Sequence, residues 1–454
     1  MKSSHKKLVL LVTLLWIVQG GLALCFAKES SAPERPQVGR DQNELNTPSM
    51  ALKDLVQEAL LRSPDIILTR AEWLAAKERR WIESSLPDPM AGYDIMGGMR
   101  ETRVGPEEQR FMISQDIPFP LKLWEKGKAA GDEARAAEAR YHATERDVIN
   151  QIEKLYYELY FIDASLEVID EIKNILKKSE GVAQARYSNL SGAQRDVAKA
   201  QAEVSMSLER LFMLKQQRET VTAMMNALLD QDPMTVLGKA ERPAKPVLKY
   251  TLVELVNLSV KNRKEIQEME AMVSKSNREK KLAKLNFIPD LNVGFEYTQV
   301  GSGMTDDPDD GRDSWMFPLR INLPIWFNRN IPQVKEAQKN LEANRARLLK
   351  AKNTTFYEVK AAYHAFDSAM QISELYETAV IPQAKLALMA DQAGYESGKT
   401  GFLDLLDSER VYLNAKLTHI QLFTEALKSY ADLVRATGLD LRPSESLESE
   451  GKQS

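Results

Sequence analysis

Two short runs within residues 288–324, in which apolar and polar side chains alternate, constrain this chain more than any other feature. Leu291, Val293, Phe295 and Tyr297 are separated by Asn292, Gly294, Glu296 and Thr298. An acidic, glycine-containing loop follows at 298–313. Then Trp315, Phe317, Leu319, Ile321 and Leu323 alternate with Ser314, Met316, Pro318, Arg320 and Asn322. A period of two gives a ribbon one apolar and one polar face. Each run is roughly 9–11 residues, the length a tilted strand needs to cross a bilayer. Two ribbons cannot close a barrel, and open edges are not tolerated in hydrocarbon.

The chain supplies a second pair. Ala91, Tyr93, Ile95 and Met99 alternate with Gly92, Asp94, Met96 and Gly98, and Phe111, Ile113 and Ile117 with Met112, Ser114 and Asp116. A charged loop at 100–110 is expected between them. Four strands still fall short of the eight in the smallest barrels. Closure therefore predicts an oligomer whose protomers each give four strands.

An internal repeat carries the pairs. Leu52, Leu55, Val56 and Ile66 recur as Leu252, Leu255, Val256 and Ile266; Pro87-Asp88 as Pro289-Asp290; Ile117-Pro118 as Leu323-Pro324. Ile152, Tyr156 and Leu159 recur as Val359, Tyr363 and Phe366, and Tyr187 and Asp196 as Tyr395 and Asp404. Each half reads helix, strand, loop, strand, long helix, turn, shorter helix. The long helices are expected over 121–187 and 330–395, about 100 Å each, with Phe356, Val359, Tyr363, Phe366 and Met370 as a packing seam. The return arms, 191–230 and 401–437, are shorter, so the helix before each strand pair covers the remaining length. The fold class is thus mainly α with membrane β, in two tandem units at 51–230 and 251–439 joined by a proline-bearing linker at 231–250. Strands gather at one end and helical hairpin tips at the other.

The flanks read differently. Residues 1–27 have the pattern of an export signal: Lys2, Lys6 and Lys7 precede an apolar run at 8–18, too short to span a membrane. Cleavage after Ala27 sets Cys25, the sole cysteine, at the −3 position and leaves no internal disulfide. Lipidation at Cys25 is the competing reading, but Leu24 stands where a small residue is wanted. Residues 28–50 read as extended and 440–454 as a polar tail. No run of 18 apolar residues is present to make a spanning helix. The net charge of −4 gives no reason to invoke nucleic acid.

These features together resemble the outer membrane efflux proteins, TolC-like channels of Gram-negative bacteria. The markers are Leu86-Pro87-Asp88 and Ile288-Pro289-Asp290 leading into strands, Ile117-Pro118 and Leu323-Pro324 leaving them, and Tyr395-Glu-Ser-Gly398 followed by Asp404-Leu-Leu-Asp407. The stretch Gln115-Asp-Ile-Pro-Phe-Pro120 resembles the heavy-metal branch associated with resistance–nodulation–division pumps. The resemblance implies a homotrimer in outer-membrane lipid, with a 12-stranded barrel above a periplasmic helical tunnel. It implies a periplasmic adaptor and an inner-membrane pump as partners. Asp404 and Asp407 would line the periplasmic aperture, six carboxylates in a trimer, and Tyr395 and Asp196 match a closed-state bonding network. Thr400 stands where that network has an arginine. Leu190, Ser191 and Gly192 in the first tip, and Gly398, Lys399, Thr400 and Gly401 in the second, would contact the adaptor.

Other chemistry is weakly indicated. His142, His364 and His419 are isolated on helical patterns. The loop Asp306-Asp307-Pro308-Asp309-Asp310-Gly311 suggests calcium, but Pro308 takes a ligand position and Phe317 replaces the bidentate glutamate. Met96, Met99, Met112 and Met316 suit pliable packing better than copper. No nucleophile–base pair, phosphate loop or metal-ligand motif is present, so neither an enzyme nor a cofactor is expected. The alternative is a periplasmic coiled-coil adaptor or scaffold, which leaves the bilayer-length ribbons without a purpose.

Overall fold

The computed structural model describes residues 50–97, 101–302 and 308–439. The expected leader with Cys25, residues 28–49, Met99, part of the acidic loop and the tail at 440–454 lie outside the described residues. In the first half the elements are α1 (Leu52–Arg62), α2 (Pro64–Ser84), β1 (Met90–Ile95), β2 (Glu101–Thr102), β3 (Gly105–Ile117), α3 (Pro120–Ser188) and α4 (Gln194–Leu228). In the second they are α5 (Leu252–Asn262), α6 (Lys264–Leu285), β4 (Leu291–Val300), β5 (Ser314–Met316) and β6 (Leu319–Ile321). There follow α7 (Phe327–Leu375), a π turn (Tyr376–Val380), α8 (Ile381–Glu396) and α9 (Phe402–Thr437).

Where one helix was expected before each strand pair, there are two. Pro64 opens α2 at the first-turn position, where its missing N–H costs nothing. In the second half Thr251 and Glu254 cap α5 reciprocally: Thr251 N–H donates to Glu254 Oε2 at 2.8 Å, and Glu254 N–H to Thr251 Oγ1 at 3.4 Å. The next break falls at Arg263, which is buried. It pairs with Glu358 at 2.6 Å and Glu265 at 3.2 Å, and donates to Thr355 Oγ1 at 3.1 Å.

With 69 residues, α3 runs for about 100 Å. α2 and α4 share its length end to end, as α6 and α9 share that of α7 and α8. Leu55 and Val56 of α1, Ile152, Leu159 and Ile162 of α3, Met225 of α4 and Leu427 of α9 form one core. Nearer the tips, Ile169, Ile172 and Leu176 meet Leu388 of α8 and Leu405 and Leu413 of α9. On α7, Val359 and Phe366 are buried as the spacing predicts, and Tyr363 and Met370 are half-buried. Phe356 corrects that seam: it is exposed, and its neighbour Thr355 takes the buried place against Arg263. The second long helix, expected unbroken, is interrupted by the π turn.

The strands form one antiparallel sheet in which β3 joins β4, so the two halves meet edge to edge. Tyr93 lies opposite Phe111, Phe111 opposite Tyr297, and Tyr297 opposite Trp315. This apolar face is exposed: Ile95, Ile113, Trp315 and Leu319 are each half exposed or more. On the other face Glu296 and Thr298 are buried, Arg320 pairs with Glu296 at 2.8 Å, and Asn292 donates to Asp116 Oδ1 at 2.7 Å. A sheet folded for water turns the opposite way.

Three strand boundaries correct the expectation. β1 stops at Ile95. The charged segment expected to loop at 100–110 is largely strand, because β3 starts at Gly105 and Arg110 still faces Asp94. The last ribbon breaks at Phe317-Pro318, where proline has no N–H for the ladder; Gly294 N–H still reaches the Pro318 carbonyl at 2.9 Å. β5 and β6 therefore act as one interrupted strand beside β4.

Candidate functional site: the paired hairpin tips

Two tight turns end the helical hairpins farthest from the sheet. In the first, Leu190 N–H donates to the Tyr187 carbonyl at 3.0 Å and Ser191 N–H to that of Arg186 at 2.9 Å. In the second, Gly398 N–H donates to Tyr395 at 3.1 Å and Lys399 N–H to Gly394 at 2.8 Å. The patterns superpose residue for residue at the repeat spacing. Both turns need a left-handed residue: Gly398 has φ 76° and Leu190 has φ 57°. For leucine that conformation is costly, and Leu190 is 94% exposed, so no packing offsets it. Leu190→Gly is expected to leave this turn up to ~1 kcal/mol more stable, read as slower amide exchange at 187–193. Faster exchange would contradict the strain.

The tips differ in which position carries a side chain. In the second, Gly394 makes room for Thr400: a Cβ on Gly394 would lie 2.6 Å from Thr400 Oγ1. In the first, Gly192 makes room for Arg186, whose Cβ would be 2.9 Å away. Thr400 Oγ1 donates to the Asp391 carbonyl at 3.1 Å. The guanidinium of Arg186 crosses to the other hairpin. It donates to the Tyr395 carbonyl and to the Ser191 carbonyl, the latter at 3.3 Å, and lies 4.8 Å from the Tyr395 ring centroid. A cation does therefore fasten the tips, supplied by Arg186 rather than by position 400. Sequence reading missed it, although aligning Arg186 with Gly394 in the repeat exposes the exchange.

Tyr395 is buried and packs on Phe402. Its hydroxyl has no hydrogen-bond partner among the described residues. Burial first, and then the nearby Asp196 charge, hold its pKa above the ordinary value, while Arg186 opposes them. Asp196 opens α4 beside Arg195, 3.6 Å away. Asp404 Oδ2 accepts from Gly401 N–H at 3.1 Å and caps α9. Asp407 lies one turn further on, and both carboxylates are exposed. Behind them Glu409 is 1% exposed, accepting from Ser179 Oγ of α3 at 2.7 Å. Its burial was not legible from the helical pattern.

Both halves of the chain, at residues 55–229 and 255–439, match the sequence profile described as outer membrane efflux protein. The chain belongs to the outer membrane efflux protein family. Similar proteins include the cobalt-zinc-cadmium resistance protein CzcC of Cupriavidus metallidurans, 22% identical over 75% of this chain and 83% of the relative. Outer membrane protein TolC of Vibrio cholerae is 24% identical over 79% of this chain and 84% of its own. Among solved structures, CusC shares the fold with a TM-score of 0.74 at 16% identity, covering 91% of this chain and 100% of that one. This outer membrane efflux protein is an efflux channel of the kind used in tripartite systems, located in the outer membrane with its helices on the periplasmic side. The family comprises channel and efflux proteins, not enzymes.

Proposed function

We propose that three copies of this chain form a passive exit duct that docks on a periplasmic adaptor and an inner-membrane pump, which supplies the energy. The carrying observation is the sheet: its apolar face is bare, its other face carries the polar side chains with Glu296 and Thr298 buried among them, and β1 and the β5–β6 edge have no further strand among the described residues. Four ribbons from each of three copies make twelve, enough to close a barrel without an edge. The helices support the same closure. Within the chain α3 lies against α6, joined by Arg140–Glu268 at 2.7 Å and Lys275–Glu133 at 3.2 Å. The repeat-related faces of α7 and α2 lack such a partner among the described residues and instead expose Leu349 and Tyr357, and Leu68, Trp81 and Ile82. A neighbouring copy covers both.

In this reading residues 51–230 and 251–439 are the two units that each copy adds to the ring. The exported cargo is small molecules or metal ions, the metal case drawing on the name of CzcC and on residues 115–120. Asp404 and Asp407 from three copies set a ring of six carboxylates at the periplasmic end, a field that attracts cations, and the strained, exposed Leu190 belongs to the adaptor contact. An adaptor or scaffold does not account for the bare apolar sheet.

The test is current through planar bilayers. Asp404→Ala with Asp407→Ala is expected to raise single-channel conductance and weaken block by divalent cations. Unchanged current and block would remove the pair from the aperture, and a protein that leaves the membrane without detergent would end the channel reading.

A further inference from the structure

The two halves are related closely enough that contacts within the chain specify contacts between chains. The spacing is 202 residues for the strand entered through Pro87-Asp88 and Pro289-Asp290, and 206 for the strand left through Ile117-Pro118 and Leu323-Pro324. Applied to the first-half pairs Met90↔Ser114, Ala91↔Ile113 and Asp94↔Arg110, these spacings give Asn292↔Arg320, Val293↔Leu319 and Glu296↔Met316. All three pairs are present in the second half. The repeat therefore holds at the level of strand register.

One junction has no second instance among the described residues. Where β3 of the first half meets β4 of the second, Asp290 Oδ1 accepts from Phe119 N–H at 2.8 Å and from Lys122 Nζ at 2.8 Å. The carboxylate thus fastens the start of one half's strands to the start of the other half's long helix. Its repeat counterpart Asp88 is exposed and has no hydrogen-bond or ion-pair partner among the described residues. The counterparts of Phe119 and Lys122 are Ile325 and Asn328. Among the described residues Ile325 N–H reaches only the Leu323 carbonyl two residues back, at 2.8 Å, and Asn328 is exposed. Asp88 and Ile325 flank the two free edges of the sheet, β1 and β6.

We propose that Asp88 is a subunit-joining cap: in the assembly its carboxylate accepts from the Ile325 N–H and the Asn328 side-chain amide of the neighbouring copy. This rests on the trimeric reading and specifies its seam. The register of β3 on β4, with Ile113 opposite Phe295 and Asp116 opposite Asn292, transfers to Leu319 opposite the neighbour's Tyr93 and Asn322 opposite its Met90. Odd positions meet odd ones, so the apolar face continues unbroken around the ring. The lysine of the internal junction becomes asparagine, so the joint between copies holds without a full ion pair.

Paired cysteines test the seam. Asp88→Cys with Ile325→Cys, oxidised in native membranes, is expected to convert most of the chain into a ladder ending at the trimer, which reductant collapses. Either single variant is expected to give none. Phe119→Cys with Asp290→Cys is the internal control and is expected to shift mobility without a ladder. A protein of trimeric mass in detergent that bridges the control pair but gives no ladder overturns the Asp88 assignment alone. A protein of monomeric mass overturns the trimeric reading itself.

Discussion

Replacing Arg186 by alanine is expected to raise the open probability of the channel by roughly thirtyfold. Arg186 is the side chain that ties the first hairpin tip to the second, through the Tyr395 carbonyl and the face of its ring. A hydrogen bond from a charged group contributes about 1.5–3 kcal/mol, and the ring contact adds about 0.5–1 kcal/mol at a partly exposed site. Allowing for water replacing part of this, about 2 kcal/mol is lost from the fastened tips, proposed above as the periplasmic aperture, a factor of about thirty. Arg186→Lys is expected to recover little, since an ammonium cannot hold two carbonyls and stack at once. Tyr395→Phe is the informative control. The hydroxyl has no partner among the described residues, so this variant is expected to gate as the parent does. Single-channel recording decides: an unaltered open probability in Arg186→Ala, or a large change in Tyr395→Phe, would move the latch elsewhere.

Stability of the helical hairpins near the tips is expected to fall as pH rises from about 4.5 to about 7, and Glu409 is the cause. Burial between α9 and α3 pushes its carboxyl up to about 7; the Ser179 hydroxyl works against that rise, and the Glu203 charge on α4 adds to it. Glu203 is itself held by Arg410. Between those pH values the folded chain keeps a proton that the unfolded chain has released, so the folded state loses ground as pH increases. Above the folded value both forms are ionised and the loss levels off, at about 3 kcal/mol. Glu409→Gln keeps an acceptor for Ser179 and has nothing to titrate. It is expected to abolish the pH dependence and to stabilise the hairpin at pH 8. Amide exchange along α9 at pH 6 and pH 8, corrected for intrinsic rates, measures both. Equal pH responses in parent and variant would exclude Glu409.

The parts of this protein that sequence could reveal are those that depend on near neighbours. Alternation through Tyr93, Phe111, Phe295 and Trp315 identifies the apolar face because strand faces follow from a period of two, and those residues share one side of the sheet. Proline and glycine mark the turns for equally local reasons. Polar and charged residues at 107–110 suggest a loop because polarity usually means solvent, whereas here they continue the ladder, with Arg110 between Asp94 and Thr298. Arg186 and Glu409 were hidden for a different reason. Each is defined by a partner more than 200 residues away, and no window on one helix contains both. Thr400 read as a missing cation only while the two tips were considered separately.

The π turn at Tyr376–Val380 has a consequence for how the halves came to differ. Tyr156 and Tyr363 are 207 residues apart, and Tyr187 and Tyr395 are 208 apart, so the second long helix holds one residue more than the first between these landmarks. Left in an α-helix, that surplus would turn everything below it by about 100° and aim Tyr395 away from the first hairpin. A widened turn absorbs one residue without passing on the rotation. The duplicated halves have therefore accepted an insertion while keeping the phase of their far ends, and the pairing of the two hairpin tips is insulated from changes in helix length above it.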